Sequence, residues 1–250
     1  MKRGIIVASF GTSYEDTRRL CIETIEDRIK EEYRDDCVIR AFTSRMIINK
    51  LKKRDNLHIF NEEEAVEDMR EKGMDSVYIQ SLHIIPGHEY GKLLSLGAKV
   101  GKPLLYEDED YKDIVEGLDI VDLEDDEALV FMGHGTDHES DDAYRKLENI
   151  YRDRGIEDVF IATVEGSITI QDIIPKLKEK NIHKVKLTPF MLVAGDHAIN
   201  DMASDEEDSW KSILKANGFE VEVILRGLGE YKIIQDIYLR HLKELVEENQ

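Results

Sequence analysis

The strongest constraint on how this chain can fold is that it repeats itself. Val7-Ala8-Ser9-Phe10-Gly11-Thr12 lies over Phe131-Met132-Gly133-His134-Gly135-Thr136, and each copy leads into a stretch of helical periodicity. Residues 77–89 lie over 185–197, bringing Gly87 onto Gly195, and residues 38–44 lie more weakly over 159–165. The matches come in the same order in both halves. A duplicated series of apolar runs alternating with amphipathic stretches is the signature of βαβ construction. The expected fold is therefore α/β, with two similar Rossmann-like domains, each built on a parallel sheet, and a cleft between them.

In the first half the strands are expected at 4–9, 38–43, 76–83 and 103–106. In the second they are expected at 128–132, 159–164, 184–188 and 220–224, followed by a helix over 231–248. The acidic segment 107–126 is the natural join, giving domains of 1–126 and 127–250, the second carrying the main metal-binding residues. With 250 residues, 41% apolar and 35% charged, each half is long enough to bury a core. A formal net charge of -20 argues against a general nucleic-acid surface, which needs clustered Lys and Arg. The apolar run after Arg3 breaks at Ser9, too soon for a signal peptide, and no segment is long enough to cross a bilayer. The expected location is the cytoplasm. Cys21 and Cys37 have neither CxxC spacing nor a disulfide framework and read as reduced thiols.

Overlaying the repeats sets Phe10 against His134, Ser44 against Glu165 and Glu89 against His197. All follow expected strands, and in parallel α/β sheets the carboxyl ends of the strands line the ligand crevice. Each residue alone has a plainer reading. A histidine after a strand often caps a helix, and a glutamate at a helix N-terminus is favoured by the dipole. Together, at equivalent edge positions, His134, His197, Glu165 and Glu89 make a donor set of borderline hardness suited to cobalt, nickel, iron or zinc. His138, four residues past His134 but across a turn, reads as readily as a supporting group as a ligand. His83 and His88 flank the turn that carries Glu89. Nothing points to a nucleotide: His138 stands where a third fingerprint glycine belongs, Gly91-Lys92 lacks the P-loop spacing, and no GxSxG elbow occurs.

Four ordered motifs carry a resemblance that runs nearly the whole chain. Ser9-Phe10-Gly11-Thr12-Ser13, Leu82-His83-Ile84-Ile85-Pro86-Gly87-His88-Glu89-Tyr90, Gly133-His134-Gly135-Thr136 and Gly195-Asp196-His197-Ala198, continued by Asn200-Asp201-Met202, resemble the anaerobic sirohydrochlorin cobalt chelatases, which are themselves ferrochelatase-like. The resemblance implies ATP-independent insertion of Co2+ into sirohydrochlorin (or precorrin-2), with release of two protons, on the oxygen-independent route to cobalamin. Carried over by position, the family's histidines fall on His134 and His197 and its acidic residues on Glu89 and Glu165. On this reading His134, Glu165 and His197 hold the incoming metal, while Glu89 accepts a proton or completes the shell. Glu139-Ser140 departs from the proline and alanine common in relatives. Related chelatases commonly associate, so the resemblance also admits a homo-oligomer.

Sirohydrochlorin carries many carboxylates and this chain is strongly acidic, so local cations and donors have to receive it. Arg45, following the second strand, is the expected cation, and Thr12 and Ser13 offer backbone N–H groups at a strand-to-helix turn. Phe10 and His83 complete the expected substrate contacts. Ferro- or nickel chelation, and a non-catalytic tetrapyrrole or metal carrier, would use the same ligands. A histidine phosphatase would want an arginine beside the histidine, and Met132-Gly133-His134 has none.

Overall fold

The computed structural model describes residues 2–119 and 122–249. Ile120 and Val121, inside the acidic segment expected to join the halves, lie outside them. Two parallel sheets form. The first contains β1 (Arg3–Ser9), β2 (Cys37–Phe42), β3 (Phe60–Asn61), β4 (Ser76–Ser81) and β5 (Lys99–Val100) in the order β3-β2-β1-β4-β5. The second contains β6 (Glu127–Gly133), β7 (Val159–Thr163), β8 (Lys184–Pro189) and β9 (Glu220–Val223) in the order β7-β6-β8-β9. Setting β6 on β1, β7 on β2, β8 on β4 and β9 on β5 makes the two orders the same, and the register agrees. Ile5 lies beside Val38 and Tyr78, as Leu129 lies beside Val159 and Lys186.

The agreement extends past the strands. Thr43 N donates to Ser9 O and Ser44 N to Phe10 O, matched by Val164 N to Gly133 O and Glu165 N to His134 O. Leu82 N donates to Ala8 O as Phe190 N does to Met132 O, both at 2.7 Å. Gly11 and Gly135 both take positive φ, +94° and +79°, where a side chain would be strained.

Both faces of the central strands β1 and β6 are buried, which explains why they read as near-continuous apolar runs. Ile6 and Ala8 share a core with Ala65, Val66, Met69, Tyr90 and Leu93, while Ile5 and Val7 are buried on the opposite face. In the second sheet Ala128, Val130 and Met132 pack with Ile170, Ile173 and Leu177. The helices are α1, built from Glu15–Thr17, a π-wound turn Arg18–Glu23 and Thr24–Glu32, then α2 (Arg45–Asp55), α3 (Glu62–Glu71), α4 (His88–Leu94), α5 (Asp108–Gly117), α6 (Asp142–Asp153), α7 (Ile170–Glu179), α8 (Trp210–Ala216) and α9 (Lys232–Glu247). Their ends follow local chemistry. A capping box joins Asn61 to Glu64 at the start of α3, and Asn56 closes α2 in the left-handed region at φ +53°.

Two expectations need correction. Residues 103–106 are not a strand. The edge strand is the two-residue β5, paired Tyr78 to Lys99 and Ile79 to Val100. Pro103 has no N–H to give a ladder, and Leu104 and Leu105 are buried in a bent segment that donates to His83 O and Ile84 O. The expected division into 1–126 and 127–250 also shifts. One compact unit comprises Met1–Asp110 and Gly229–Gln250, the other Tyr111–Leu228. The cause is α9, which packs on β4 and α1 of the first unit and buries Ile234, Ile237, Tyr238 and Leu242. Tyr238 donates its hydroxyl to Leu82 O at 3.0 Å, and His241 Nε2 meets Asp110 Oδ1 at 2.8 Å with both side chains fully buried. Among the described residues no helix is long and apolar enough to cross a membrane.

Candidate functional site

In each sheet the strand order reverses between the first and third strands of the repeat, β1 and β4 in unit 1 and β6 and β8 in unit 2, and a doubly wound sheet binds its ligand at such a reversal. His134 leaves the carboxyl end of β6, Glu165 follows β7, and His197 follows β8 at the head of a π-wound turn, Ala198–Met202. Single π turns inside helical runs recur at functional sites because they re-aim side chains.

Unit 2 brings three of the expected residues together. The rings of His134 and His197 meet edge to face, centroids 4.9 Å apart at 83°. His134 Nδ1 lies 2.9 Å from Gly135 O, and Glu165 Oε2 is 3.9 Å from the same nitrogen, beyond hydrogen-bond reach. His197 Nδ1 lies 2.5 Å from Asp201 Oδ2, one turn along. A carbonyl and a carboxylate only accept, so both rings carry a hydrogen on Nδ1. In the neutral tautomer this leaves the Nε2 lone pair of each histidine free for a cation. Glu165 is exposed, and among the described residues no group of three or more His, Cys, Asp or Glu converges closely enough to hold a metal ion. Unit 2 thus presents an open histidine pair with a carboxylate nearby.

The loops that carry this pair are interlocked. A Cβ on Gly135 would run into the backbone of Gly166 and into Thr163, and one on Gly166 would strike Asp141. Asp141 Oδ1 accepts from Thr136 N at 3.2 Å, and its Oδ2 accepts from Ser167 N and Ser167 Oγ, both at 2.8 Å. Asp141 therefore ties the His134 loop to the Glu165 loop. His138 is a capping residue: its Nδ1 accepts from Ser140 N at 3.1 Å at the head of a short 3-10 turn.

Unit 1 holds the other expected residues. Glu89 lies in the first turn of α4, its Oε1 2.6 Å from Lys92 Nζ. Burial would raise its pKa, but hydrogen bonds from Lys92 and Thr43 and the charge of Lys92 outweigh that and bring it below the usual carboxylate value. Glu89 Oε2 is buried and has no partner at ordinary hydrogen-bond distance. His83, expected to touch substrate, is instead an internal group, 9% exposed, with Nδ1 2.9 Å from Ser81 Oγ and Nε2 3.4 Å from Thr43 Oγ1. Burial pushes its pKa down to about 4, so it is neutral at pH 7. Arg45 is not a free cation. Its guanidinium forks onto Glu62 at 2.5 and 3.0 Å and reaches Glu63 at 3.5 Å. Thr12 and Ser13 are buried, Thr12 Oγ1 accepting from Tyr14 N and Ser13 O from Arg54. Phe10 is exposed.

Asp201, Asp141, Thr43 and Ser81 were not picked out from sequence as site residues. The i, i+4 spacing of His197 and Asp201 and the i, i+2 spacing of Ser81 and His83 were the local signals; Thr43 and Asp141 act across loops distant in sequence.

The family description "Cobalt chelatase (CbiK)" matches residues 3–247. A sirohydrochlorin cobaltochelatase of Salmonella typhimurium is 38% identical, covering 98% of this chain and 96% of that one. The sirohydrochlorin cobaltochelatase CbiKC of Nitratidesulfovibrio vulgaris is 36% identical over 98% of this chain and 91% of its own. Among solved structures, SirB from Bacillus subtilis with Fe3+ superposes with a TM-score of 0.70 at 14% identity, covering 100% of this chain and 98% of that one, which shows a shared fold.

Proposed function

The chain belongs to the cobalt chelatase (CbiK) family, and from that membership we propose that it is a sirohydrochlorin cobaltochelatase, placing Co2+ in the macrocycle for cobalamin synthesis without consuming a nucleotide. We place it in the cytoplasm. The observation that carries the site assignment is the histidine pair of unit 2, with both Nδ1 hydrogens committed and both Nε2 atoms available.

Insertion exchanges one divalent cation for two pyrrole N–H protons. The residues therefore have to deliver a weakly held cation and take up protons near pH 7. Two imidazoles and a carboxylate without thiolate bind Co2+ and can still release it. His134 and His197 hold the ion through Nε2, and Glu165 joins them by rotating away from its present place beside Nδ1 of His134. Glu89, ionised at neutral pH and with one oxygen unpartnered, takes up one of the two pyrrole protons, and the other passes to solvent. The exposed Phe10 after β1, Met46 at the start of α2 and Tyr106 beyond β5 offer apolar surface for a flat ring.

The test is anaerobic insertion at substoichiometric protein, followed by the absorption change of the macrocycle with Co2+, Fe2+ or Ni2+ supplied separately. Many turnovers with cobalt are expected. His197→Ala should abolish insertion with the circular dichroism unchanged, and near-normal turnover in that variant would sink the assignment. Tetrapyrrole binding without turnover would make the protein a carrier.

A further inference from the structure

Glu165 opens a piece of chain that unit 1 lacks. In unit 1 helix α2 starts at Arg45, directly after Ser44, the counterpart of Glu165; in unit 2 helix α7 starts only at Ile170, so residues 166–169 are extra. Up to Glu165 the duplicated fold holds the chain, since Glu165 N donates to His134 O as Ser44 N does to Phe10 O. Beyond it something else has to. The Glu165 side chain is exposed, so its backbone is what aims it, and a loop ordered only when the ion arrives would subtract that ordering from the affinity. The base of the extra loop is closed by Thr163, whose N and Oγ1 both donate to Ile168 O, at 2.7 and 3.1 Å.

The tip of the loop is held by Asp141. This residue stands at the head of α6, where an aspartate ordinarily accepts from the first helical N–H groups. Its side chain makes no capping bond to that helix. Both oxygens serve the loops instead, Oδ1 taking Thr136 N at 3.2 Å and Oδ2 taking Ser167 N and Ser167 Oγ at 2.8 Å each. A backbone N–H can only donate, so the carboxylate is the acceptor on both sides. Gly166 gives it the room, because a Cβ there would strike Asp141 and Thr163. The duplication supplies an internal control. Thr17 stands as far beyond Thr12 as Asp141 beyond Thr136, and its hydroxyl bonds within its own loop, to Tyr14 O at 3.2 Å. The cross-loop clasp therefore goes with the half that carries the histidine pair and is not a demand of the repeated fold.

We propose that Asp141 is a positioning residue for the metal: it pins the Glu165 loop to the His134 loop, so that the Glu165 carboxylate reaches the ion by side-chain rotation alone. The proposal rests on the reading of Glu165 as the donor that joins His134 and His197.

A double-mutant cycle on Co2+ affinity tests it, with Co2+ alone added to the full chain and its ligand-field absorption as the readout. Asp141→Asn keeps the shape but turns an amide N–H toward one of the two loops. It should weaken Co2+ binding about tenfold, as loss of a group behind a metal ligand does, and shift the absorption spectrum to that of Glu165→Ala. Placed on top of Glu165→Ala it should cost nothing further. Wild-type affinity in Asp141→Asn, or the same loss in both backgrounds, overturns the proposal. Ser167→Ala, at an exposed position, keeps the cycle decisive if Asp141→Asn does not fold: it should weaken binding about threefold, the low end for a single hydrogen bond, only while Glu165 is present, and an unchanged affinity overturns the proposal. A Glu165→Ala protein that binds Co2+ as tightly as the wild type would remove Glu165 from the donor set and the proposal with it. Because the readout needs no tetrapyrrole, a protein that binds Co2+ but never inserts it would lose the chelatase reading while the cycle still decides Asp141.

Discussion

His134 gives its Nδ1 hydrogen to the Gly135 carbonyl and His197 gives its own to Asp201, so what each ring can offer a cation is set by its neighbour and not by the histidine alone. Asp201→Ala should therefore weaken Co2+ binding by about 10–100-fold with the fold intact, because ring orientation and basicity both depend on that acceptor. A Co2+ titration followed by its ligand-field absorption measures this, and unchanged affinity would show that the π-wound turn alone aims His197. At this scale the sequence disclosed residue types better than residue states. His134 and His197 were legible because the repeat put them at strand ends. The burial of His83 was not, since it depends on Ser81 and on Thr43, the latter reached from another strand. Arg45 misleads for the same reason: its partner Glu62 is a whole helix away.

Strands of the second half fall where alternation and apolar runs place them, because β6 and β7 are buried along their whole length. The first half reads less well at its edges, where β3 and β5 are two residues each and leave too little pattern to see. At the amino end of the second sheet Glu127 ties β6 to β8, with Oε1 2.7 Å from Lys184 Nζ and Oε2 2.8 Å from Lys186 Nζ. Those two hydrogen bonds, with one from the Glu124 amide, lower its pKa from 4.5 to about 2. A carboxyl depressed in the folded state stabilises fully above its unfolded value, and that stabilisation fades as pH falls from about 4.5 toward 2. Glu127→Gln should lower Tm at pH 7 and flatten its decline across that acid window. A variant whose Tm keeps the wild-type acid slope would place the linkage elsewhere.

For the molecule as a whole, the repeat predicted two units and the parallel α/β class, but not that the last helix belongs to the first unit. An amphipathic C-terminal helix carries no mark of which sheet it will cover; the buried His241–Asp110 pair and the Tyr238 hydroxyl make that choice. Removing residues 229–250 should strip hydrogen-exchange protection from β1 and β4 while β6 and β8 keep theirs. Equal loss in both sheets would mean that the two units do not fold separately.

The same arrangement sets an order on the ribosome. Unit 2 is one uninterrupted stretch of chain, Tyr111–Leu228, whereas unit 1 is closed by a segment made only after unit 2. At synthesis rates of 5–20 residues per second, the nascent first sheet waits roughly 6–24 s for α9 while unit 2 is translated. The histidine pair can be assembled before the Glu89 half is finished. The interval in which a nascent chain would recruit a chaperone belongs to the apolar surface that Ile234, Ile237 and Tyr238 finally cover.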